Sequence, residues 1–585
     1  MTTPLYHPFP QSLISPTRAE TSPPLENIQG VLGQIYARRG IKDSLELDRS
    51  LGRLPEPFTL KGMAMMCSIL ETAIRDRQRV LVIGDYDADG ATATALALEG
   101  LRLLGLDSID YLVPNRFQYG YGLTPEIVEL ARSYQPDILL TVDNGISSHE
   151  GIDAAKAAGL KVLITDHHLP GETLPKADAI VNPNLPDDPF PSKALAGVGV
   201  MFYVLLGLRQ QLRKNHFFEE GVTKEPHLGI LLDLVALGTV ADVVPLDSVN
   251  RILVHQGLER IRKGMARPGI RALLKGSKRK EPRIRASDLG FQIGPRLNAA
   301  GRLDDMRVGI ECLIAKDFDK ALPLAQTLEQ LNQERKDIEE GMRQDALRHL
   351  DPLMALESQR PIVCLFDPTF HQGVVGILAS RIKDRLHRPV IVFALNDLNP
   401  NQLKGSARSV SGIHIRDILA EVATCHPGLI DRFGGHAMAA GLILKKDHLR
   451  RFTEAMEEEV RKRMPGLTLE PQLVTDGTLT PQDLSMALAE HLEAGGPWGQ
   501  GFSEPLFEGE FRIASCRIVG ENHLKLVLRP DDSQQLIDAI AFRVETPEAW
   551  QEGAKIKAAY RLEVNEFRSV RTPQLLIEYM TTALN

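Results

Sequence analysis

Three aspartates follow one another closely after an apolar run at residues 80–83: Asp85, Asp87 and Asp89, with Gly90 closing the turn. Carboxylates this close disfavour one another's ionisation, and a bound cation offsets that repulsion. The spacing matches the start of a calcium-binding EF-hand loop, but position twelve is Leu96 instead of Glu, and a strand instead of a helix precedes it. We therefore interpret this segment as a metal-binding turn at the end of a buried strand.

Further acids and histidines end other apolar runs. Asp143 follows Leu-Leu-Thr-Val, and the Asp-His-His sequence at 166–168 follows Lys-Val-Leu-Ile-Thr. Carboxylates and imidazoles with no nearby thiolate favour Mn²⁺, Mg²⁺ or Fe²⁺ over a structural zinc. Downstream, Asp242 or, as the weaker alternative, Asp233 could complete the site. Because one ion would leave excess negative charge, two ions sharing Asp143 are the economical arrangement.

The elements that must bring these groups together alternate between strand and helix. Apolar, β-branched runs predict strands, and alanine- and leucine-rich stretches between them predict helices. This alternation is typical of a doubly wound parallel α/β sheet, in which the carboxyl ends of the strands lie on one edge and build the site. The predicted strands are 79–84, 108–113, 137–142, 161–165 and 178–182, and the predicted helices are 91–104, 124–133 and 147–158.

Two divalent ions held close together are suited to in-line displacement at phosphorus. The chain contains no G-x-x-x-x-G-K-[ST], no G-x-S-x-G and no H-E-x-x-H. P-loop, α/β-hydrolase and zincin chemistries therefore lack their characteristic residues. The sequence points to hydrolysis of a phosphoester or phosphoanhydride.

Composition limits the partners and the compartment. The 585 residues are 43% hydrophobic and carry a net charge of −8. No apolar run is long enough to span a membrane, the N-terminus does not resemble a secretory signal, and the five cysteines are scattered, so we expect a cytoplasmic protein with no membrane partner. The net charge disfavours nucleic acid, yet residues 260–285 carry eleven basic side chains against one acid, a plausible track for a polyanion.

Three further regions follow the metal-binding sheet. A charged stretch after Pro323 has one apolar stripe and predicts a connector helix. Residues 361–394 restart a strand–helix–strand pattern, with the helix near 373–386, and short alternating runs beyond 466 indicate a β-barrel or sandwich. We predict a lead segment (1–48), a catalytic domain (49–316), a connector helix (317–350), a smaller α/β domain (351–465) and an all-β domain (466–585).

Five motifs follow one another along the chain. They are Gly-Asp-Tyr-Asp-Ala-Asp-Gly (84–90, motif one), Val-Asp-Asn-Gly (142–145), Asp-His-His (166–168), Gly-Thr-Val-Ala-Asp-Val-Val-Pro-Leu (238–246) and Arg-Phe-Gly-Gly-His-Ala-Met-Ala-Ala-Gly-Leu (432–442). In this order they resemble the motifs of the DHH phosphoesterases with an associated DHHA1 domain. The likeness covers nearly the whole chain from about residue 30 and is greatest to the single-strand-specific exonucleases of that superfamily. The C-terminal β domain in turn resembles an OB-fold.

The resemblance implies a metal-dependent 5′→3′ exonuclease that degrades single-stranded DNA to mononucleotides in DNA recombination and repair. It implies two Mn²⁺ or Mg²⁺ ions, with Asp143 bridging, His167 a direct ligand and His168 near the scissile phosphate. A single-strand-binding protein and a helicase are implied as partners. The implied metal ligands are Asp85, Asp87, Asp89, Asp143, His167 and Asp242, and the implied substrate-binding residues are Arg116, Arg296, Asn298, Arg302, Ser406, Arg408, Gly435 and His436.

Two other functions compete with this one. A small-substrate DHH phosphodiesterase, acting on oligoribonucleotides or other small phosphoesters, conflicts with the basic stretch and the C-terminal β domain. A non-catalytic single-strand-binding scaffold conflicts with the presence of every acid and histidine of the motifs. The sequence leaves open which of Asp85, Asp87 and Asp89 bind metal.

Overall fold

The computed structural model describes residues 16–18, 28, 30–114, 119, 122–219, 224–277, 279–350, 360–397, 399–464, 473–520, 522–531, 533–544, 546–568 and 570–582. Contacts divide the chain into two compact units. The first consists chiefly of Glu20–Asn332 and His491–Glu504, and the second of Gln333–Glu490 and Pro505–Asn585, with Pro4–Ala19 assigned to it. Each unit is described by itself below.

The strands form four sheets. They are β1 (Pro16–Arg18), β2 (Val80–Ile83), β3 (Ile109–Leu112), β4 (Ile138–Val142), β5 (Lys161–Thr165), β6 (Ala179–Val181), β7 (Val363–Phe366), β8 (Val390–Asn396), β9 (Asn399–Arg408), β10 (Arg432–Gly435), β11 (Ala439–Lys445), β12 (Leu473–Thr475), β13 (Phe507–Val519), β14 (His523–Pro530), β15 (Ile537–Ala541), β16 (Lys555–Phe567) and β17 (Val570–Thr582).

Helices connect most of these strands. They are α1 (Gly30–Arg38), α2 (Met63–Arg75), α3 (Ala88–Leu103), α4 (Pro125–Arg132), α5 (His149–Ala157), α6 (Gly197–Lys214), α7 (Leu232–Ala241), α8 (Ser248–Arg262), α9 (Pro268–Gly276), α10 (Ala286–Asp288), α11 (Gly294–Leu303), α12 (Arg307–Ile314), α13 (Phe318–Leu350), α14 (Val375–Leu386), α15 (Ile415–Cys425), α16 (Leu449–Arg463) and α17 (Met486–Gly495).

The first unit is built on a parallel sheet with the strand order β3-β2-β4-β5-β6. Along β2, Val80 and Val82 pack in the large core under α3 and α6, whereas Leu81 and Ile83 pack in a second core under α4 and α5. A strand buried on both faces has to be apolar at every position, as this one is. The predicted doubly wound α/β sheet is confirmed, and its order reverses between β2 and β4.

The long helix α13 includes a proline near its start. The charged stretch after Pro323 belongs to a helix that begins at Phe318, one residue after the predicted start of the connector at 317, and so contains that proline. Ala321, Ala325 and Leu328 are buried in the large core of the first unit. Their burial stabilises the first turns and outweighs the local preference against proline in a helix.

The second unit contains a mixed sheet and a closed barrel. The sheet has the order β10-β11-β9-β8-β7, with β7 and β8 parallel and the other neighbours antiparallel. The barrel closes in the order β13-β14-β15-β17-β16. Both predictions, a smaller α/β region and a β-barrel, are confirmed. Among the described residues, no helix is long and apolar enough to cross a membrane.

Candidate metal centre

Two hydrogen bonds and close packing at Gly84 fix the triple-aspartate turn, which joins β2 to α3. The carboxylate of Asp87 accepts the backbone N–H of Gly90 at 2.9 Å and so caps α3. The side-chain oxygen of Asn298, on α11, accepts the N–H of Ala88 at 2.8 Å. A Cβ at Gly84 would lie 2.2 Å from the hydroxyl of Thr94, so the turn tolerates no side chain there.

Asp89 lies in the first turn of α3 but faces the start of another helix. Its two carboxylate oxygens accept the backbone N–H groups of Gly197 (2.6 Å) and Val198 (3.0 Å), at the beginning of α6. These amides belong to the positive end of the helix dipole. The N-termini of α3 and α6 therefore meet on one buried carboxylate.

Asp143 follows β4 with a backbone φ of 61°, a conformation that non-glycine residues rarely adopt. Its neighbour Asn144 donates from its side-chain amide to the carbonyl oxygens of Ile83 (3.1 Å) and Val142 (2.9 Å). The amide of Asn144 thus ties the end of β4 to the end of β2, where the strand order reverses. Strained backbone that its surroundings enforce is common at functional sites.

Asp166 organises the histidine pair after β5. Its Oδ1 accepts the ring Nδ1–H of His168 at 2.7 Å and the backbone N–H of His167 at 2.7 Å, and its Oδ2 accepts the N–H of Ile146 at 2.9 Å. Burial works against a charged pair here, but this hydrogen bond lowers the pKa of Asp166 and raises the pKa of His168 to about 9. The Nδ1 of His168 is therefore engaged by Asp166, which fixes the orientation of the ring.

His167 lies at the centre of the carboxylates. Its Nε2 is 3.0 Å from Asp143 Oδ1, 3.6 Å from Asp242 Oδ2 and 4.0 Å from Asp89 Oδ2. Three overlapping sets of side chains have ligand atoms within 4.8 Å of one another: Asp143, His167 and His168; Asp89, His167 and Asp242; and Asp85, Asp87 and Asp143. The structure thus brings together all six predicted ligands, and each motif-one aspartate belongs to one of these sets.

The electrostatics of these acids fit divalent cations. Burial, reinforced by the neighbouring aspartate charges, raises the pKa of Asp89 to about 7 and the pKa values of Asp143 and Asp242 well above their ordinary range. Within the described part of the chain, the buried Oδ2 of Asp242 accepts no hydrogen bond. A cation among these oxygens would offset the repulsion between the carboxylates. Carboxylate oxygens together with one imidazole nitrogen suit Mn²⁺ or Mg²⁺.

Asp233, the alternative to Asp242, has a different partner. It is fully buried, and its carboxylate lies 3.1 Å from the guanidinium of Arg267, which also reaches Glu99 at 2.9 Å. This buried ion group also shows that acids from other segments neutralise part of the positive charge of the basic stretch at 260–285. Several of its members pair with acids from other segments, including Arg285 with Glu493.

The implied substrate-binding residues on α11 have surroundings that differ from one another. Arg296 is buried and donates to the carboxylate of Glu329 and to the carbonyl of Gln292. Asn298 faces the triple-aspartate turn, as described above, and Arg302 is half-buried in the last turn of α11. Arg116 lies outside the described residues. The structure therefore brings Asn298 to the metal centre, whereas it pairs Arg296 with an acid.

In the second unit, Ser406 and Arg408 form a polar pocket beside a helix start. A guanidinium N–H of Arg408 donates to the Ser406 hydroxyl at 3.0 Å. Gly376, in the first turn of α14, is so close that a Cβ there would lie 3.0 Å from both Arg408 Nη2 and Ser406 Oγ. Burial lowers the pKa of Arg408. A half-buried cation at a helix N-terminus is suited to a phosphate.

Gly435 and His436 lie across the same sheet. Gly435 pairs with Ala440, which in turn pairs with Ala407 on β9, between Ser406 and Arg408. Gly435 has φ +142°, and a Cβ there would lie 2.4 Å from the carbonyl of Ala439. Gly435 and the Ser406–Arg408 pair therefore lie at similar register on strands β10 and β9, which are separated by β11.

Sequence reasoning missed the residues that hold the histidine pair. Asn182 and Asn184 donate from their side-chain amides to the carbonyls of His168 (2.8 Å) and His167 (2.6 Å). A signal was available, because this Asn-x-Asn directly follows β6 and the active edge of a parallel sheet is where strands end. Gly197 was also missed, and nothing in its local sequence shows that it packs against Asp143.

Comparisons with known protein families agree with this architecture. The DHH family N-terminal domain model matches residues 79–239, the DHHA1 domain model matches 359–462, and the RecJ OB domain model matches 475–579. The metal-ligand sets lie within, or a few residues beyond, the first range. The Ser406–Arg408 pocket lies in the second range, and the barrel in the third.

Relatives are similar over nearly the whole length. The single-stranded-DNA-specific exonuclease RecJ of Dickeya dadantii is 51% identical over 96% of this chain and 97% of its own length, and that of Escherichia coli is 50% identical over 94% and 95%. Crystal structures of RecJ from Thermus thermophilus in complex with Mn²⁺ and with Mg²⁺ match with TM-scores of 0.79 and 0.73, at 29% and 28% identity, covering 97% of this chain and 80% and 78% of theirs. The chain belongs to the RecJ family of DHH phosphoesterases.

Proposed function

We propose that this protein is a metal-dependent exonuclease that degrades single-stranded DNA from the 5′ end to mononucleotides. The observation that carries the proposal is the adjacency of two ligand sets, Asp85, Asp87 and Asp143 on one side and Asp89, His167 and Asp242 on the other. Asp143 Oδ1 of the first set lies 3.0 Å from His167 Nε2 of the second, as two neighbouring ions would require. The names of the relatives supply the substrate, single-stranded DNA.

The ligand sets assign the side chains to two ions. Asp85, Asp87 and Asp143 would hold one, and Asp89, His167 and Asp242 would hold the other, with Asp143 close to both. When bound, two such ions lower the pKa of a water and offset charge on the phosphoryl oxygens. In this assignment Asp85, Asp87 and Asp89 would all take part in metal binding.

His168 would act as a hydrogen-bond donor beside the ions. Because its Nδ1–H is bonded to Asp166, the Nε2–H points away from that carboxylate and can donate to a phosphate oxygen. Asn182 holds its backbone in place, so the ring is positioned before the substrate arrives. We assign His168 to stabilisation of charge that develops on the scissile phosphate.

The Ser406–Arg408 pocket supports the 5′→3′ polarity. A half-buried guanidinium next to the first turn of α14 is suited to a terminal phosphate, which carries more charge than a phosphodiester. A pocket that binds this group would select the 5′ end of a strand. The barrel would add sequence-independent binding, and Phe567 is exposed with the Arg568 guanidinium 5.2 Å from its ring.

The cellular setting is part of the proposal. The five free cysteines suit the reducing cytoplasm. Because relatives are named for action on single-stranded DNA, we assign this protein to DNA repair and recombination. Its partners there would be a single-strand-binding protein and a helicase that exposes the strand.

The test uses a long single strand labelled at either end, with Mn²⁺ or Mg²⁺. Release of labelled mononucleotide first from the 5′ end is the expected result, and Asp143→Ala should abolish it while strand binding persists. Asp153→Ala, at an exposed position on α5, is the matched control and should behave like the parent protein. Full turnover by Asp143→Ala would overturn the metal mechanism, and faster hydrolysis of dinucleotides would favour a small-substrate phosphodiesterase.

A further inference from the structure

The loop that carries Asp242 is held in an unfavourable conformation. This Asp242 loop, residues 242–247, joins α7 to α8, and its second residue, Val243, has φ +62° with its side chain 63% exposed. A β-branched residue rarely adopts this conformation, and an exposed side chain gains little packing in return. Something else must therefore hold the loop in place.

A turn from a distant part of the chain contacts the loop. Within residues 499–502, here called the 499–502 turn, Gly499 and Phe502 exchange backbone hydrogen bonds at 2.9 and 3.1 Å. The carbonyl of Gln500 accepts the N–H of Leu246 at 2.7 Å. Gly501 has φ +69°, and a Cβ there would lie 3.2 Å from Pro245 Cβ. The turn thus contacts Pro245 and Leu246 of the Asp242 loop.

Arg251, on α8, ties the two segments together. Its guanidinium donates to the carbonyl of Leu246 at 2.9 Å and lies 4.5 Å from the centre of the Phe502 ring. Phe502 stacks on Trp498 with ring centres 5.0 Å apart, and Tyr36 stacks on both at 6.1 Å. Aromatic and cation–π contacts therefore anchor the 499–502 turn, and the amide and carbonyl of Leu246 are both hydrogen-bonded to this assembly.

We infer that the 499–502 turn positions Asp242 for metal binding by keeping Val243 in its left-handed conformation. The inference rests on the proposed role of Asp242 as a metal ligand. It adds a positioning element, remote in sequence, that neither the motifs nor the ligand sets contain. Groups that orient metal ligands typically change metal affinity about 10–100-fold when altered.

Gly501→Ala in the full-length protein is the primary test. The substitution strains a positive φ and presses on Pro245, so it should weaken Mn²⁺ binding about tenfold, measured by calorimetry without DNA. Gly264→Ala is the control, because Gly264 has φ +70° in the same unit but no atom nearer than 3.9 Å to its Cβ position. It should leave Mn²⁺ affinity unchanged. Equal Mn²⁺ affinity for the two folded variants, with folding checked by urea titration, would overturn the inference.

A double-mutant cycle with Val243→Gly tests the route of the effect. Glycine adopts a positive φ without strain, so the Gly501→Ala change should weaken Mn²⁺ binding much less in that background. An undiminished effect would overturn the role given to Val243, and this comparison also serves if Gly501→Ala alone folds poorly. Asp242→Asn separates the two proposals. Normal Mn²⁺ binding by Asp242→Asn would show that Asp242 is not a metal ligand. Normal Mn²⁺ binding by Gly501→Ala, with weakened binding by Asp242→Asn, would show that the 499–502 turn does not position Asp242.

Discussion

Gly197→Ala should damage the metal centre without removing any of its groups. A Cβ at position 197 would lie 2.5 Å from Asp143 Cβ and 2.7 Å from Asp143 Oδ1. Carbon atoms in contact prefer about 3.5–4.0 Å, so the Asp143 side chain or the start of α6 must move by roughly 1 Å. The backbone N–H of residue 197, which Asp89 accepts, is retained in the variant.

A displacement of this size is large for catalysis. Misplacing a reacting group by about 1 Å can lower the rate about 100-fold, equivalent to about 2.7 kcal/mol of transition-state stabilisation. We therefore expect kcat on a 5′-phosphorylated single strand to fall about 100-fold at saturating Mn²⁺, with strand binding unchanged. Quantified release of labelled mononucleotide at saturating strand measures kcat, and fluorescence anisotropy without metal measures binding.

Gly199→Ala is the matched control on the same helix. A Cβ there would meet Leu195 Cδ2 at 3.3 Å, the mobile end of a flexible side chain, and no metal-centre atom is among its nearest contacts. Its kcat should stay close to that of the parent protein. Normal turnover by Gly197→Ala, or an equal loss in Gly199→Ala, would refute the claim that close packing of α6 positions Asp143.

Two further predictions concern the phosphate pocket and the buried ion group. Arg408→Glu should remove the preference for a 5′-phosphate over a 5′-hydroxyl strand, compared by initial rates, because it places an acid where the phosphate would bind; a preserved preference would rule the pocket out. Arg267→Met should lower the free energy of unfolding by about 3–5 kcal/mol in urea titrations, because Asp233 and Glu99 lose their buried cation. Arg271→Met, which removes a largely exposed ion pair, should cost less than about 1 kcal/mol, and similar losses for the two would contradict the assignment.

The sheet could be predicted from sequence because its signals are local. The strand β5 runs from Lys161 to Thr165 as predicted, since an apolar run that contains the β-branched residues Val162, Ile164 and Thr165 precedes the Asp-His-His sequence. Convergence of Asp143 with Asp89 followed from the parallel topology alone. The site residues implied by the resemblance remain predictions, as do the domain borders at 49, 317, 351 and 466.

Contacts between distant segments could not be predicted in the same way. Arg267 belongs to a stretch that reads as a basic surface, but its partners Glu99 and Asp233 lie on α3 and α7. Likewise, Asn298 has the type and neighbours of a phosphate-binding residue, yet it accepts the N–H of Ala88. Neither partner choice has a local signature, because both depend on how helices pack against one another.

The first unit is discontinuous, and this has a consequence for fragments and for folding on the ribosome. The hydroxyl of Tyr36 donates to the carbonyl of Gly495 at 2.9 Å across a separation of 459 residues. A catalytic fragment ended at the border of the DHHA1 match, residue 462, would lack His491–Glu504 and leave the core around Tyr36 open. During synthesis, the first unit can be completed only after the chain has been made past residue 504.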